Sequence, residues 1–416
     1  MPRSAIVIPI EQLSSLRWLL PVILIFLAGG LVQYVGLLSQ TQTNWLALLL
    51  LGHVLLLKDT WQQLRIETLL FCLLIYVIVS QLFRDTPFDY TGTYIYYILC
   101  AVVAAVAGRT YARRIVLAVR ADAYLRTVKF FVLMELLVTG FQSAFTEQFI
   151  SLSRESIGRT DAIFGTFFLQ SDAALAAVCE LLTISVFFVR CRMRDRLIVS
   201  AMALGVVLLG NSEAAKGGFA VLLMLLWSQV AYKQLGLWRY GLNALLVAGV
   251  VVCITLVYSP LTKVVADFIV QATEDYNHRQ SWETASRFAP FGQLYALGIS
   301  PFGSGALTYY NPITKEWLYD SGFSTVYSLY LDFGLVGIGL YYVYEIYLII
   351  KLTNSLFQRI LYTLVLTSFS AFNFALTDVT FIFSFNAILY ANAMFGEARV
   401  PSTVRSIVRR NAVQWT

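Results

Sequence analysis

The run TVYSLYLDFGLVGIGLYYVYEIYLII, from Thr325 to Ile350, sets the architecture of this chain. Asp332 and Glu345 are its only charged residues. An α-helix needs about 20 predominantly apolar residues to cross the hydrocarbon core of a bilayer. The run is long enough, and it predicts a transmembrane helix.

The composition of the whole chain points the same way. Its 416 residues are 58% hydrophobic and 13% charged, whereas soluble proteins carry about 25% charged residues. This sequence therefore cannot cover a water-exposed surface, and it predicts an integral membrane protein. The net charge of +6 must then be interpreted by location and does not indicate nucleic-acid binding.

Apolar runs that could cross a membrane recur along the chain, and the sequence predicts an all-α fold, a polytopic bundle of about 12 transmembrane helices. The second, fourth and seventh runs are short. The runs are 18–38, 45–57, 66–83, 94–107, 128–145, 162–189, 197–210, 217–232, 242–258, 325–350, 360–375 and 379–395.

The distribution of Lys and Arg predicts the orientation. With both termini in the cytoplasm, most of the 30 basic residues fall on the cytoplasmic side, and the clusters within 109–129, 190–196 and 399–410 are interpreted as topology anchors on an anionic leaflet. The basic residues left on the outer side are Arg84, Arg154, Arg159, Lys216, Lys263, Arg279, Arg287 and Lys315.

One long polar segment interrupts the apolar pattern. The predicted organisation is nine helices over 1–259, a large extracytoplasmic loop over 260–322, three helices over 323–398 and a basic cytoplasmic tail over 399–416. Loops of this length are usually functional. None of the five cysteines lies in the loop, so disulfides cannot order it, and it must pack on the bundle.

The chemistry available outside the cytoplasm is limited. The chain has only two histidines, His53 and His278, and no cluster with metal-ligand spacing, so we expect no metal and no cofactor. It has no Asp-x-Asp pair and no phosphate-binding loop with the Walker lysine. Chemistry on phosphates would depend on Arg and Lys.

Four cations stand where the chain meets the outer surface: Arg159, Lys216, Arg279 and Arg287. Cations near bilayer depth are costly and are usually placed for use, and guanidinium groups bind phosphate oxygens in pairs. The set suits a lipid-linked diphosphate. The alternative for each residue is a structural ion pair with a nearby acid.

Three segments resemble the polysaccharide polymerase and O-antigen ligase superfamily of bacterial envelopes. RTDAIFGTFFLQSDA (159–173) resembles the family's Arg-x-x-Gly-x-Phe stretch, and GNSEAAKGG (210–218) resembles its Ser-Arg-Gly turn, with Lys216 in place of Arg. PFGSG (301–305), then DSG (320–322) and YLDFGLVG (330–337), resemble its Pro-x-Gly-x-Gly and acid-x-Gly motifs. The resemblance covers about residues 150–350.

The resemblance implies a GT-C-like membrane glycosyltransferase of the bacterial inner membrane, with its site facing the periplasm. Polymerases of the family join repeat units carried on undecaprenyl diphosphate, in some cases with a chain-length regulator protein. Ligases transfer the finished glycan to lipid A core. Ligases carry a His before the last long Gly-rich span, and Asp320 occupies the matching position here, which favours the polymerase. Its product could be O-antigen of lipopolysaccharide or another exopolysaccharide.

The implied reaction is an inverting glycosyl transfer that needs neither a metal nor a nucleotide. The four cations would neutralise the leaving diphosphate, with Arg287 as the catalytic one. Asp320 or Glu283 would accept the proton of the acceptor hydroxyl, although Asp320 could instead cap the helix that begins near Ser324.

Further residues would bind substrate. Gly303 and Gly305 would let the backbone approach a sugar or phosphate, with an ordinary turn as the alternative. Tyr309 and Tyr310 would contact sugar faces or sit at the membrane interface. Asp172 would line the cavity for the lipid-linked glycan.

A transporter or flippase is the rival class. Such proteins usually show inverted repeats and broken helices at matching places in two halves. No such repeat is visible in this sequence, and the long outer loop lies late in the chain.

Overall fold

The computed structural model describes fifteen stretches of the chain. They are 45, 48–49, 51–56, 64–83, 88–118, 121–152, 163–167, 172–189, 191–210, 213–234, 301–306, 310–311, 316–317, 324–353 and 355–395. The predicted spans at 18–38 and 242–258, most of the 260–322 loop and the 399–416 tail lie outside these residues.

The described part is helical apart from one pair of two-residue strands, so the all-α prediction is confirmed there. The helices are α1 Thr68–Gln81, α2 Phe88–Ala118, α3 Ala121–Ala144, α4 Thr146–Leu152, α5 Asp172–Phe188, α6 Met193–Leu209, α7 Glu213–Gln234, α8 Thr325–Leu352, α9 Leu356–Phe372 and α10 Val379–Phe395. Short 3₁₀ turns lie at His53–Leu56, Arg65–Glu67 and Ala375–Thr377. Strands β1 Tyr310–Asn311 and β2 Glu316–Trp317 pair in antiparallel fashion.

Two described helices, at Thr91–Arg113 and Thr325–Leu352, are long and apolar enough to cross a membrane. Helix α10 begins and ends at the residues that the hydropathy predicted. The prediction of one continuous span over 162–189 is wrong. Residues 163–167 form a turn in which Gly165 has φ +63°, and α5 begins only at Asp172.

The described bundle buries charge and exposes apolar side chains. On α3, Phe130 and Leu137 are 67% and 65% exposed, while Glu135 on the same helix is buried. Exposed Leu, Ile, Val and Met also occur on α1, α7 and α8. This reversal of the soluble pattern fits helices surrounded by lipid, where ionisable groups face the interior.

Helices α2 and α10 form the most extensive contact in the described bundle. A side chain at Gly108 would clash with the carbonyl oxygen of Phe383, so this glycine permits their close approach. Helix α8 packs on α1 and α9, and α5 packs on α6, α9 and α10.

Helices α8 and α9 have N-termini capped by serine hydroxyls. Ser324 accepts a hydrogen bond from the backbone N–H of Tyr327, and Ser355 accepts one from Gln358. Each hydroxyl satisfies a backbone donor that the helix leaves without an internal partner.

Candidate functional site

The segment Pro301–Ala306 packs backbone to backbone on the middle of α8, and we call this contact the glycine junction. The N–H groups of Ser304 and Gly305 donate to the carbonyls of Leu331 and Asp332, at 2.8 and 2.9 Å. In the other direction, the N–H of Val336 donates to the carbonyl of Pro301 at 3.1 Å. The segment thus supplies partners to helical backbone groups that would otherwise lack them.

Two glycines make the junction possible. Gly334 has φ +66° and breaks α8 within its length, and Gly303 opposite it has φ +71°. A β-carbon on Gly334 would lie 2.5 Å from the backbone N of Gly303, and one on Gly303 would lie 2.5 Å from the carbonyl oxygen of Asp332. Any side chain at either position would force the two segments apart.

Tyrosines from α1 and α2 complete the junction. The Tyr94 hydroxyl donates to Oδ2 of Asp332, which is fully buried. The Tyr76 hydroxyl reaches the carbonyls of Phe302 and Phe333, at 3.3 and 3.1 Å. The two tyrosines therefore give hydrogen-bond partners to backbone carbonyls on both sides of the junction and to the buried acid at the helix break, as buried polar groups require.

Helix α3 holds the turn at Gly165. The Gln142 side chain accepts from the N–H of Gly165 at 2.8 Å and donates to its carbonyl at 3.0 Å. Glu135 accepts from both the N–H and the hydroxyl of Thr166. A side chain at Gly165 would clash with the Glu135 carboxylate, so only glycine fits there.

A second buried polar group, which we call the Arg109 cluster, comprises Arg109, Glu67, Asn386, Tyr344 and Glu345. Arg109 is fully buried, forms an ion pair with Glu67 and donates to Asn386. Tyr344 and Glu345 interact electrostatically with this pair. The interpretation of Arg109 as an anchor on a lipid leaflet is wrong, because its charge has a carboxylate partner inside the bundle.

The predicted substrate-binding residues that the structure describes occupy four places. Gly303 and Gly305 belong to the glycine junction, where the close approach they permit is to α8. Asp172 is the first residue of α5. Lys216 lies in the first turn of α7 and not in a connecting turn as the motif suggested, because α7 begins at Glu213. Tyr310 lies in β1, opposite Trp317.

The remaining predicted site residues lie outside the described part of the chain. They are Arg159, Arg279, Glu283, Arg287, Tyr309 and Asp320. For the first turn of α8, the capping hydroxyl comes from Ser324.

The structure also brings forward residues that the sequence patterns did not single out. Tyr76, Tyr94 and Gln142 each bond a motif segment from a helix distant in sequence. The available signal for these residues was the presence of tyrosines and a glutamine inside apolar runs. Their hydrogen-bond partners lie 23–257 residues away in sequence, so no local sequence pattern could identify them.

Among the residues that the structure describes, no group of three or more His, Cys, Asp or Glu side chains is placed to hold a metal ion. No protein-family model matches this chain, and no curated protein matches it either.

Proposed function

We propose that this protein is a membrane glycosyltransferase that polymerises lipid-linked oligosaccharide repeat units on the outer side of the bacterial cytoplasmic membrane. The donor is a glycan on undecaprenyl diphosphate, and the acceptor is a hydroxyl of the next lipid-linked repeat. The proposed topology has about 12 spans with both termini in the cytoplasm.

The observation that carries this proposal is the meeting of two separate motif segments at the glycine junction. PFGSG and YLDFGLVG were selected for their resemblance to the polymerase and ligase superfamily, and their glycines contact each other across the break in α8. A glycine required for one turn is common. Two glycines that depend on each other and lie in two separate motifs support an architecture shared with that superfamily.

The chemistry of the proposed reaction is electrostatic. The bond from the anomeric carbon to the diphosphate breaks as the acceptor oxygen attacks, and negative charge develops on the diphosphate. Lys216 and the arginines 159, 279 and 287 would stabilise this charge, with Arg287 in the catalytic role. In this proposal, the glycine junction holds residues 301–306, which follow the predicted polar region of Arg279 and Arg287 in sequence, against α8.

The test is the glycan ladder of cells that lack this gene. We expect single repeats in the null strain, a restored ladder with the wild-type gene, and no ladder with Arg287→Ala. The matched control is Arg126→Ala, which removes an exposed arginine of α3 and should restore the ladder. If long polymer instead accumulates on the lipid carrier in the null strain, the protein is a ligase.

One observation favours a transporter as the second candidate. Helix α8 is discontinuous at Gly334 beside the buried Asp332, and broken helices near buried acids are typical of transporters. Purified protein in vesicles would distinguish the two. Movement of a lipid-linked repeat across the bilayer with no change in glycan length would favour transport.

A further inference from the structure

Glu180 on α5 differs from most acids buried in the described bundle. Glu67, Glu135, Asp332 and Asp378 all accept hydrogen bonds from the protein. Glu180 is 8% exposed and has no hydrogen bond or ion pair in the described part of the chain. A buried carboxylate without a partner is costly, so its presence calls for an explanation.

A glycine on α7 leaves room in front of this carboxylate. A β-carbon added to Gly218 would lie 3.4 Å from Oε1 of Glu180, whereas one added to Gly217 would meet no atom of the described residues within 4 Å. Both glycines are exposed. The space beside Glu180 therefore opens at the surface of the described bundle, where a substrate carried by a lipid could enter sideways.

The position of Glu180 along the bundle suits the proposed reaction. Helices α5, α6 and α7 follow one another through short connections, so α5 and α7 begin at the same end. At a rise of 1.5 Å per residue, Glu180 lies about 12 Å along the helix axis from the first residue of α5. Gly218 lies about 8 Å along the axis from the first residue of α7. Lys216 lies in the same first turns of α7, at the end proposed to bind the diphosphate.

The chemistry of this space favours a neutral hydrogen-bond donor. The first turn of α7, which carries Lys216, brings positive charge to this end of the helix and disfavours a metal cation there. Among the described residues, no group of three or more His, Cys, Asp or Glu side chains that could hold a metal includes Glu180. A hydroxyl group can donate to the carboxylate without bringing charge into the bundle. Sugar hydroxyls are the donors that the proposed substrate supplies.

We propose that Glu180 binds the acceptor hydroxyl of the incoming sugar and takes its proton during transfer, an inference that rests on the proposed glycosyltransferase function. The acceptor oxygen forms the bond to the anomeric carbon, the bond from that carbon to the diphosphate breaks, and the diphosphate leaves with its electron pair. The hydroxyl proton moves to the Glu180 carboxylate, which then releases it at its exposed edge.

The first test measures initial polymerisation rates of purified protein in vesicles with a lipid-linked repeat as substrate. Glu180→Gln keeps the shape but cannot accept the proton, and we expect kcat to fall about 100-fold or more, with KM changed far less. Glu180→Asp retains the carboxylate one methylene further back and should keep intermediate activity. A Glu180→Gln enzyme with the wild-type rate overturns the inference.

The two adjacent glycines supply a matched pair that tests the space itself. Gly218→Ala puts a methyl group in van der Waals contact with Oε1 of Glu180, in the space proposed for the acceptor hydroxyl. We expect the rate to fall about tenfold or more, since the hydroxyl could no longer take its reactive position. Gly217→Ala makes the same change where nothing is near and should keep the wild-type rate. Equal rates for both variants overturn the inference.

The outcomes separate this inference from the function on which it rests. If wild-type protein forms no polymer from the lipid-linked repeat, the proposed function fails. If wild type polymerises and both Glu180→Gln and Gly218→Ala match it, only the role of Glu180 fails. Where Glu180→Gln does not accumulate in membranes, the glycine pair decides, because both alanines suit a helix.

Discussion

The glycine junction and the Arg109 cluster solve the same problem in opposite ways. Each stabilises polar groups inside an apolar bundle. The junction joins backbone to backbone through Gly303 and Gly334, and tyrosine hydroxyls bond the Phe333 carbonyl and Asp332. The cluster joins the charged side chains of Arg109 and Glu67. Among the described residues, Oε2 of Glu67, Oε2 of Glu345 and the Tyr344 hydroxyl have no hydrogen-bond partner.

This difference indicates that the glycine junction is held in one geometry, whereas the stability of the Arg109 cluster depends on its charge balance. A fully satisfied polar contact specifies one geometry, whereas a partly satisfied one is stable only while its charges remain balanced. We therefore expect steric changes to damage the junction and charge changes to damage the cluster. Equilibrium unfolding in mixed micelles, followed by tryptophan fluorescence, measures both.

The largest effect is expected from Arg109→Ala. It leaves the Glu67 carboxylate buried and without its cation, and breaking a buried ion pair in this way costs about 3–5 kcal/mol. Arg126→Ala is the control, because that arginine is exposed and should change stability by less than about 0.5 kcal/mol. Similar losses in both variants would contradict the buried pairing of Arg109.

Gly334→Ala should cost about 3 kcal/mol. The new methyl group would press on the backbone of Pro301–Gly303, and alanine would be held at φ +66°. Gly339→Ala is a matched change on the same helix with nothing within 4 Å, and it should be neutral or stabilise the protein by up to about 1 kcal/mol. If Gly334→Ala unfolds with the wild-type free energy, the glycine junction does not depend on close backbone contact.

Removing a tyrosine hydroxyl should have different effects in the two regions. Tyr94→Phe deletes the donor to the buried Asp332, and leaving a buried acceptor without its partner costs about 1–3 kcal/mol. Tyr344→Phe removes a buried hydroxyl that forms no hydrogen bond with the described residues and interacts with the Arg109–Glu67 pair only electrostatically, so it should be close to neutral. A larger loss of stability for Tyr344→Phe than for Tyr94→Phe would contradict the hydrogen bonding described for the two regions.

The smallest effect is expected from Glu345→Gln. Arg109 is already paired with Glu67, and one cation balances one carboxylate. Replacing this second carboxyl group, which has no cation of its own, should change the unfolding free energy by less than about 1 kcal/mol. A loss above about 3 kcal/mol would instead place Glu345 in a direct ion pair with Arg109.

Parts of the fold follow from local hydropathy. The bounds of α10 and the start of α8 agree with the predicted runs, because an apolar stretch in lipid has few alternatives to a helix. The break at Gly334 does not follow. YLDFGLVG is apolar enough to continue the helix, and its non-helical backbone is stabilised by hydrogen bonds from residues 301–306 and from Tyr76, which are distant in sequence.

The candidate site shows the same division. The sequence indicated the glycines of PFGSG as a place of close backbone approach, and the structure shows that α8 is what they approach. It assigned Arg109 to the membrane surface from charge counting, which cannot detect a buried acid 42 residues away. The sequence shows that Glu180 is an acid within a predicted span, but it does not show that Gly218 faces this acid.

The amino-acid sequence by itself determined the helical class, the helices that are long and apolar enough to cross a membrane and which polar residues those helices contain, because hydropathy and helix length are local properties of the chain. Only the tertiary structure decided which polar residues meet. It placed Gly303 against Gly334, Tyr94 on Asp332, Arg109 on Glu67 and Glu180 opposite Gly218. The physical reason is that buried polar groups are stabilised by partners from other helices, and helix packing brings those partners together.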